Sequence, residues 1–362
     1  MAEQEHNHEY ILKQQYPWIS FPLITGAPMR LIASSPLAIA ISQAKGLGFL
    51  GAGTDSSTVF SLLNDAHIAN QASPIPDVPL DILPVGIGFI CWGADLREAT
   101  LIIADAPLKP AAAWLFAPQQ SADLSIWSES IRIASEGKTK IWIQVGTVAN
   151  CLELAKTCSP DVLVIQGSDA GGHGLAQSSS IITLFPECFD ALQKAGYGHI
   201  PLIATGGIVD GRNVAAALTL GASGVCLGTR FLASPEAVIS QGYREAVIKA
   251  SDGGVSTART SVYDNLRGTT GWPSHYNGRG ILNQSFWDYV KGMGDDENKK
   301  LYEEAIKQGD AGWGDAGRMT TYAGTGVGLI REIKPAAEIV EEVREDAKRH
   351  LKAAASRVMM FS

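Results

Sequence analysis

The sequence predicts an α/β fold, a (β/α)8 barrel with an appended, mostly helical or irregular lid subdomain, from three observations. Eight short apolar runs follow one another over roughly 230 residues, which is close to the size of such a barrel. Each run is followed by a stretch with helical periodicity or by a loop. The runs are continuously apolar rather than alternating, as expected for parallel strands covered on both faces. A doubly wound parallel sheet is the main alternative.

The predicted strands and helices alternate along the chain. The eight runs are 22–25 (PLIT), 47–52 (LGFLGA), 83–89 (LPVGIGF), 111–117 (AAAWLFA), 140–146 (KIWIQVG), 161–167 (DVLVIQG), 200–207 (IPLIATGG) and 224–231 (GVCLGTRF). Pro36 suits the first turn of the helix after the first run. Asp210 can cap the helix after the seventh run, and Gly221 can end it. Ser234 and Pro235 predict the start of a further helix.

The alternation stops near residue 240, where the composition changes. Residues 251–317 are rich in Gly, Trp, Tyr and charge and show no βα repeat. We therefore predict a barrel over residues 1–240 and an appended lid or substrate subdomain over residues 241–317. Over residues 318–362 we predict a Gly-rich loop and a C-terminal helix that packs back on the barrel.

Composition argues for a protein that acts on small molecules. The formal net charge is −8 and no basic block occurs, which excludes nucleic acid and anionic membranes as expected partners. The five cysteines form no CxxC pair, so no zinc or other metal site is expected. The polar, acidic start is unlike a signal peptide, and no run is long enough to span a membrane, which predicts a cytoplasmic location. The sequence leaves the oligomeric state open.

Glycines at the ends of the seventh and eighth runs predict a phosphate site. Gly206 and Gly207 end the seventh run, and Gly228 and Thr229 end the eighth. In a barrel the loops after these two strands commonly bind phosphate, through free N–H groups and a helix dipole. The alternative is that the glycines only turn the chain. No dinucleotide fingerprint competes, because the GLGFLG segment at 46–51 has a helix before it rather than a strand.

A single histidine stands in a glycine-rich loop after the sixth run, in the segment VIQGSDAGGHGL (164–175). This loop lies at the functional end of a barrel, beside the predicted phosphate site. His173 is its one side chain that can act as a base near neutral pH. A surface or capping role is the alternative, and the position favours catalysis.

Several of these segments together resemble the nitronate monooxygenase family, formerly the 2-nitropropane dioxygenases. They are ITGAPM…QAKGLGFLGAG, VIQGSDAGGHG, PLIATGGIVDGRNVAAALTLGASGVCLGTRFLASPEA and, later, YAGTGVGLI. The resemblance implies a TIM barrel that binds FMN without a covalent link. It also implies an oxidoreductase that oxidises nitronates with O2 to a carbonyl compound and nitrite, with neutral nitroalkanes as further candidate substrates.

The resemblance also implies contacts with the flavin ring. Ala27, Pro28 and Met29 would line the ring from the end of the first strand. Gln144 and Gln166 would reach the flavin or its ribityl chain from the fifth and sixth strands.

The remaining implied contacts concern the phosphate and the substrate. Gly172 would lie in the flavin-facing loop, and Gly207, Gly228 and Thr229 would hold the phosphate. His173 matches the family's histidine, which as a neutral base would take a proton from a nitroalkane or, protonated, would pair with an anionic nitronate.

Three positions refine the comparison with the family. Asp169 stands where many members have Glu, and Thr325 lies near a position where many have Gln. Related FMN-dependent reductases carry a Lys near position 144, and Gln144 here favours the nitronate branch. An FMN-dependent NAD(P)H reductase of the enoyl-ACP or quinone type remains one alternative function. A non-catalytic flavin-binding barrel is another.

Overall fold

Residues 2–314 and 316–359 are described by the structure, a computed structural model of the chain. Its strands are β1 (Leu23–Gly26), β2 (Gly48–Gly53), β3 (Ile82–Ile90), β4 (Lys109–Phe116), β5 (Lys140–Val145), β6 (Val162–Gln166), β7 (Gly172–Leu175), β8 (Leu202–Thr205), β9 (Gly224–Leu227), β10 (Thr257–Thr260) and β11 (Tyr276–Ile281). Its helices are α1 (Ala2–Gln15), α2 (Ser35–Gln43), α3 (Val59–Ala72), α4 (Leu96–Asp105), α5 (Asp123–Ala134), α6 (Val148–Cys158), α7 (Ile181–Lys194), α8 (Gly211–Thr219), α9 (Thr229–Leu232), α10 (Gln241–Lys249), α11 (Gly253–Ser256), α12 (Val262–Arg267), α13 (Gln284–Val290), α14 (Asp295–Lys307) and α15 (Ala336–Met359). Short 3-10 turns occur at Ser56–Thr58, Gly309–Gly312 and Thr325–Leu329.

Eight parallel strands form the barrel that the sequence predicts. Their order is β1-β9-β8-β6-β5-β4-β3-β2. A parallel bridge between Thr25 and Leu47 joins the two ends of this sheet and closes it. Each strand is buried, because helices cover the outer face and side chains fill the interior. The prediction of a (β/α)8 barrel is confirmed.

Aromatic side chains fill part of the barrel interior below the carboxyl ends of the strands. Trp114 and Trp142 stack there with their ring centroids 5.9 Å apart. The indole of Trp142 donates a hydrogen bond of 2.7 Å to the hydroxyl of Tyr16, which follows α1. His8 on α1 lies 2.7 Å from the carbonyl of Gly198, just before β8. The polar N-terminal segment is therefore a helix that covers the lower end of the barrel, which its composition did not indicate.

The helix boundaries agree with the sequence at α8 and differ from it at α10. Asp210 forms a capping box at the start of α8, and Gly221 follows this helix with φ +99°. The helix expected after Ser234 begins instead at Gln241. The Ser234 hydroxyl donates back to the carbonyl of Phe231, so it does not cap a following helix and that prediction is wrong.

The segment after the barrel contains a small antiparallel sheet as well as helices α11–α14. Its strand order is β10-β11-β7, and β7 comes from the barrel's own loop after β6. From the sequence, that stretch is expected to be a loop throughout. Pairing with β11 makes Gly172–Leu175 a strand and places His173 opposite Gly278. The residue of greatest functional interest is thus held between the barrel and the appended segment.

The last helix, α15, packs against α8 and α2 on the outside of the barrel. Arg344 on α15 is buried and donates to the carbonyls of Pro22, Ala44 and Lys45. These bonds attach the C-terminal helix to the start of β1 and the end of α2. None of the described helices combines the length and the apolar composition that a bilayer crossing requires.

Candidate active site

A cavity of about 640 Å³ opens at the carboxyl ends of the barrel strands. Its wall also includes residues 267–272 of the appended segment and Tyr322 from the chain that follows it. The cavity brings together every site residue singled out from the sequence. These are Ala27, Pro28, Met29, Gln144, Gln166, Gly172, His173, Gly206, Gly207, Gly228 and Thr229.

The charged side chains in this wall are cationic. They are those of Arg30 and Arg267, and none of the described lining residues is Asp or Glu. This contrasts with the whole chain, whose formal net charge is −8. The cavity is therefore suited to anionic ligands.

A cradle of free amide groups lies at the ends of β8 and β9. The backbone N–H groups of Gly206, Gly207, Gly228 and Thr229 donate to no oxygen of the described residues. Gly206 and Gly207 have φ of +104° and +74°, which favours glycine. The Thr229 hydroxyl accepts from the N–H of Gly324 at 3.0 Å, so its own hydrogen is left to donate. Such a nest of donors fits a phosphate group.

The N-terminal end of α8 adds fewer free N–H groups to this cradle than the sequence predicts. The carboxylate of Asp210 accepts from the N–H groups of Arg212 at 2.9 Å and Asn213 at 3.3 Å. The side chain of Asp210 therefore already caps the first turn of α8. The donors available to an anion are those at the two strand ends.

Two glutamines present amide groups to the cavity. The side-chain carbonyl of Gln144 accepts a hydrogen bond of 3.0 Å from the indole of Trp114, which leaves its NH2 group to face a ligand. Gln166 donates from Nε2 to the carbonyl of His173 at 3.3 Å. Gln166 thus supports the histidine backbone and is less free to bind a ligand than Gln144.

His173 is fixed by a carboxylate on one side and an indole on its face. Its Nε2 lies 2.9 Å from both Oδ1 and Oδ2 of Asp264. Trp272 stacks on the imidazole with a centroid distance of 3.8 Å and an interplanar angle of 7°. The side chains of His173 and Asp264 are 14% and 7% exposed. Both are therefore largely shielded from water, which strengthens the hydrogen bond between them.

Asp264 is in turn held as an acceptor by two hydroxyl groups. Thr269 donates to Oδ1 at 2.8 Å and Tyr322 donates to Oδ1 at 3.1 Å. Burial, followed by the negative charge of Asp264, raises the pKa of Tyr322 well above its ordinary value, so Tyr322 stays protonated. The guanidinium of Arg267 lies 5.4 Å from the centre of the Tyr322 ring.

This network sets the tautomer of His173. A carboxylate accepts but does not donate, so Nε2 carries the hydrogen towards Asp264. The lone pair then lies on Nδ1, which has no hydrogen-bond partner among the residues the structure describes. A histidine held in this way can accept a proton at Nδ1, and the resulting positive charge is balanced by Asp264.

Four residues around His173 were not predicted from the sequence: Asp264, Thr269, Trp272 and Tyr322. The first three lie in the appended segment, which shows no βα repeat, and Tyr322 lies in the Gly-rich loop after it. Asp264 is 91 residues from His173 along the chain. A catalytic histidine commonly has a carboxylate partner, but no local spacing points to this one. The pairing of β7 with β11, distant in sequence, brings the two segments together.

The two departures noted from the family pattern are neighbours in space. The Thr325 hydroxyl donates to Oδ1 of Asp169 at 2.9 Å, and its N–H donates to the Asp169 carbonyl at 3.0 Å. The loop after β6 is therefore tied to the 3-10 turn Thr325–Leu329. Thr325 bonds to the protein in this arrangement and is not part of the cavity wall.

Comparisons with known proteins identify the family of the chain. The family model described as nitronate monooxygenase matches residues 128–346. The nitronate monooxygenase npaC of Metarhizium robertsii is 47% identical over 93% of this chain and 94% of its own length. A nitronate monooxygenase of Neurospora crassa is 36% identical over 94% of this chain and 93% of its own length.

Solved structures with low sequence identity share the fold. FabK from Thermotoga maritima superposes with a TM-score of 0.72 at 22% identity, covering 96% of this chain and 98% of that one. A nitroalkane oxidase from Streptomyces ansochromogenes gives a TM-score of 0.71 at 20% identity, covering 95% and 99%. At this level of identity the likeness concerns the barrel architecture alone. The matches at higher identity, which span nearly the whole chain, carry the assignment: this chain belongs to the nitronate monooxygenase family of flavin-dependent oxidoreductases.

Proposed function

We propose that the chain binds FMN in this cavity and oxidises alkyl nitronates with O2, giving a carbonyl compound and nitrite. The observation that carries the proposal is His173 with its carboxylate partner in a cavity whose described wall has no acid. The relatives support the reaction class, since they are named nitronate monooxygenases.

The residues present fit a flavin mononucleotide. Gly206, Gly207, Gly228 and Thr229 would hold one phosphate through free amides and a hydroxyl. A Cβ built on Gly228 would meet only the Cβ of Ala27 at 3.6 Å, so the cradle is open. One such cradle and the absence of a dinucleotide fingerprint favour FMN over FAD.

The residues that would contact the flavin ring lie at the ends of β1, β5 and β6. Pro28 packs against Gly88. A Cβ at position 88 would lie 2.2 Å from the Cβ of Pro28, so the glycine leaves room for Pro28 in the cavity wall. The free NH2 of Gln144 would donate to a ring acceptor. When bound, the flavin supplies the redox chemistry between the nitronate and O2.

His173 would act on the substrate in one of two ways that depend on the substrate's charge. With a neutral nitroalkane, Nδ1 takes the α-proton and Asp264 stabilises the imidazolium that forms. With a preformed nitronate, the protonated ring pairs with the anion and positions it. Trp272 holds the ring plane in both cases.

The appended segment would serve as the substrate subdomain. We propose the boundaries 1–240, 241–317 and 318–362 for the barrel, this subdomain and the C-terminal part. Asp264 and Trp272 support a substrate role for the middle part, because both contact His173 and residues 267–272 line the cavity.

An anaerobic experiment tests the reaction. The flavin absorbance of the purified holoenzyme should bleach when propionate 3-nitronate is added and recover when O2 is admitted, with nitrite released. NADH in a parallel cuvette should leave the spectrum unchanged. Bleaching by NADH and not by the nitronate would instead assign the chain as an NAD(P)H-dependent reductase.

A further inference from the structure

Two arginines of the small sheet lie side by side against the loop that precedes His173. We call this loop, residues 167–171, the histidine loop. Arg259 on β10 and Arg279 on β11 are register partners in the antiparallel ladder. Their guanidinium groups donate to main-chain carbonyls and one hydroxyl, and to no carboxylate of the part of the chain that the structure describes.

Arg259 contacts nearly the full length of the histidine loop. Its Nε donates to the carbonyl of Ser168 at 3.3 Å and its Nη2 to that of Ala170 at 3.1 Å. Its Nη1 donates to the carbonyls of Gly172 at 3.5 Å and Asn277 at 3.2 Å. One rigid, planar group therefore fixes three carbonyls that lie just before His173 in the chain.

Arg279 supports the same loop from the neighbouring strand. Its Nε donates to the carbonyl of Ser168 at 3.2 Å, so this oxygen accepts from both arginines. Its Nη1 donates to the Thr257 hydroxyl at 3.1 Å, which ties the group back to β10. The two guanidinium groups thus form one clamp anchored in the small sheet.

This arrangement carries an electrostatic cost. Burial, and then the positive charge of Arg279, lower the pKa of Arg259 to about 10, while the charge of Asp169 acts in the opposite direction. Burial also lowers the pKa of Arg279. Neutral donors could satisfy loop carbonyls without placing two cations together. Their burial side by side favours a role in fixing the position of the loop, a role that buried charges have in some proteins.

We propose that Arg259 and Arg279 are positioning residues, which set the place of the His173 imidazole by clamping the carbonyls of the histidine loop. The imidazole must meet Asp264 and Trp272 on one side and the substrate on the other. A displacement of the order of 1 Å at a reacting group lowers rates by about 100-fold. The clamp also joins the small sheet, which carries Arg259 and Arg279, to the barrel loop. The catalytic part of this inference depends on the proposed function, and its structural part does not.

The test uses four variants. Arg259→Lys keeps the charge and loses the planar fork, and Arg259→Gln loses both. Arg279→Lys weakens the clamp while leaving Arg259 in place. If the Arg259 variants do not fold, this milder variant still tests the proposal. Arg344→Lys is the matched control, because Arg344 is also buried and also donates to three carbonyls, but at the far side of the barrel.

The first readout is turnover with propionate 3-nitronate at matched FMN content. We expect Arg259→Lys and Arg259→Gln to lower kcat to a similar extent, about 10- to 100-fold, with a smaller change in KM. Arg279→Lys should lower kcat less, and Arg344→Lys should keep the parental kcat while lowering the thermal midpoint. Full activity of Arg259→Lys would overturn the proposal, because charge and not geometry would then suffice. An equal loss in Arg344→Lys would also overturn it.

The second readout does not depend on the reaction. In protein labelled with 15N-histidine, the His173 ring signals are identified by their absence in His173→Asn. They should be single and sharp in the parent and in Arg344→Lys, and broadened or split in the Arg259 variants. Unchanged signals in the Arg259 variants refute the positioning role whatever the substrate is. Altered signals without nitronate turnover in the parent would refute the proposed function alone.

Discussion

Replacing Asp264 by Asn should disable His173 as a base while leaving its surroundings nearly unchanged in shape. The carboxylate accepts from Nε2 of His173 and from the hydroxyls of Thr269 and Tyr322. An asparagine amide has the same size but carries a donor as well as an acceptor. With its NH2 group towards Nε2, the imidazole must hold its hydrogen on Nδ1, where the lone pair is needed.

The size of the effect follows from the charge-assisted hydrogen bond that this substitution removes. Such a bond between a carboxylate and an imidazolium is worth about 1.5–3 kcal/mol when partly buried. Because about 1.4 kcal/mol of activation free energy corresponds to a tenfold change in rate, removal of this bond alone slows proton abstraction about 10- to 150-fold. The wrong tautomer slows the step further. We expect the rate with a neutral nitroalkane to fall by about 100-fold or more, and that with a preformed nitronate by less than about tenfold.

The assay is the ratio of nitroethane to ethyl nitronate turnover, at one pH and with FMN content matched. Asp288→Asn is the control, since Asp288 is a buried aspartate of the appended segment that pairs with Arg318 away from the cavity. That control should lose stability and keep the parental ratio. A parental ratio in Asp264→Asn, or the same fall in Asp288→Asn, would refute the assignment of Asp264 as the partner of the base.

Four further outcomes are expected. His173→Asn should lower nitroalkane turnover by about 10²–10⁴-fold and nitronate turnover much less; equal loss on both substrates would assign His173 to anion binding. Gly228→Asp should sharply lower FMN content by absorbance with little change in circular dichroism, because φ is −111° there and the Cβ position is open; full occupancy would move the phosphate site. Heat denaturation should release FMN and not FAD, as judged by chromatography. The native protein should not react with a thiol reagent at pH 8, because all five cysteines are buried and burial raises the pKa of Cys91 and Cys226 to about 12; labelling before unfolding would contradict this.

The barrel could be predicted because its signals are local. Continuous apolar runs, strand-end glycines and the Asp210 cap each arise within a few neighbouring residues, and the repeat places them in order. The residues of the cavity wall at the strand ends could be predicted as well, because the carboxyl ends of the strands meet at one face of the barrel. His173 could be identified because it stands alone among glycines at such an end.

The partner of His173 could not be predicted because it depends on a long-range pairing. Four residues of glycine-rich loop become β7 only because Tyr276–Ile281 offers a strand edge to them. Gly172 and Gly174 weaken any strand signal in the sequence. The carboxylate of Asp264 reaches the imidazole as a consequence of that pairing. Helix α1 was missed for a related reason. Its composition is polar, and its few buried side chains pack against the lower end of the barrel, which is distant in sequence.

The membership of β7 in the small sheet has a consequence for protein engineering. Residues 251–317 differ from the barrel in composition, so they invite exchange between relatives as a module for altering substrate choice. Such an exchange would also replace the strand that orders His173, the carboxylate that sets its tautomer and the arginines against its loop. A functional chimera must therefore transfer residues 167–175 together with the appended segment, so that the histidine and its supports come from the same parent.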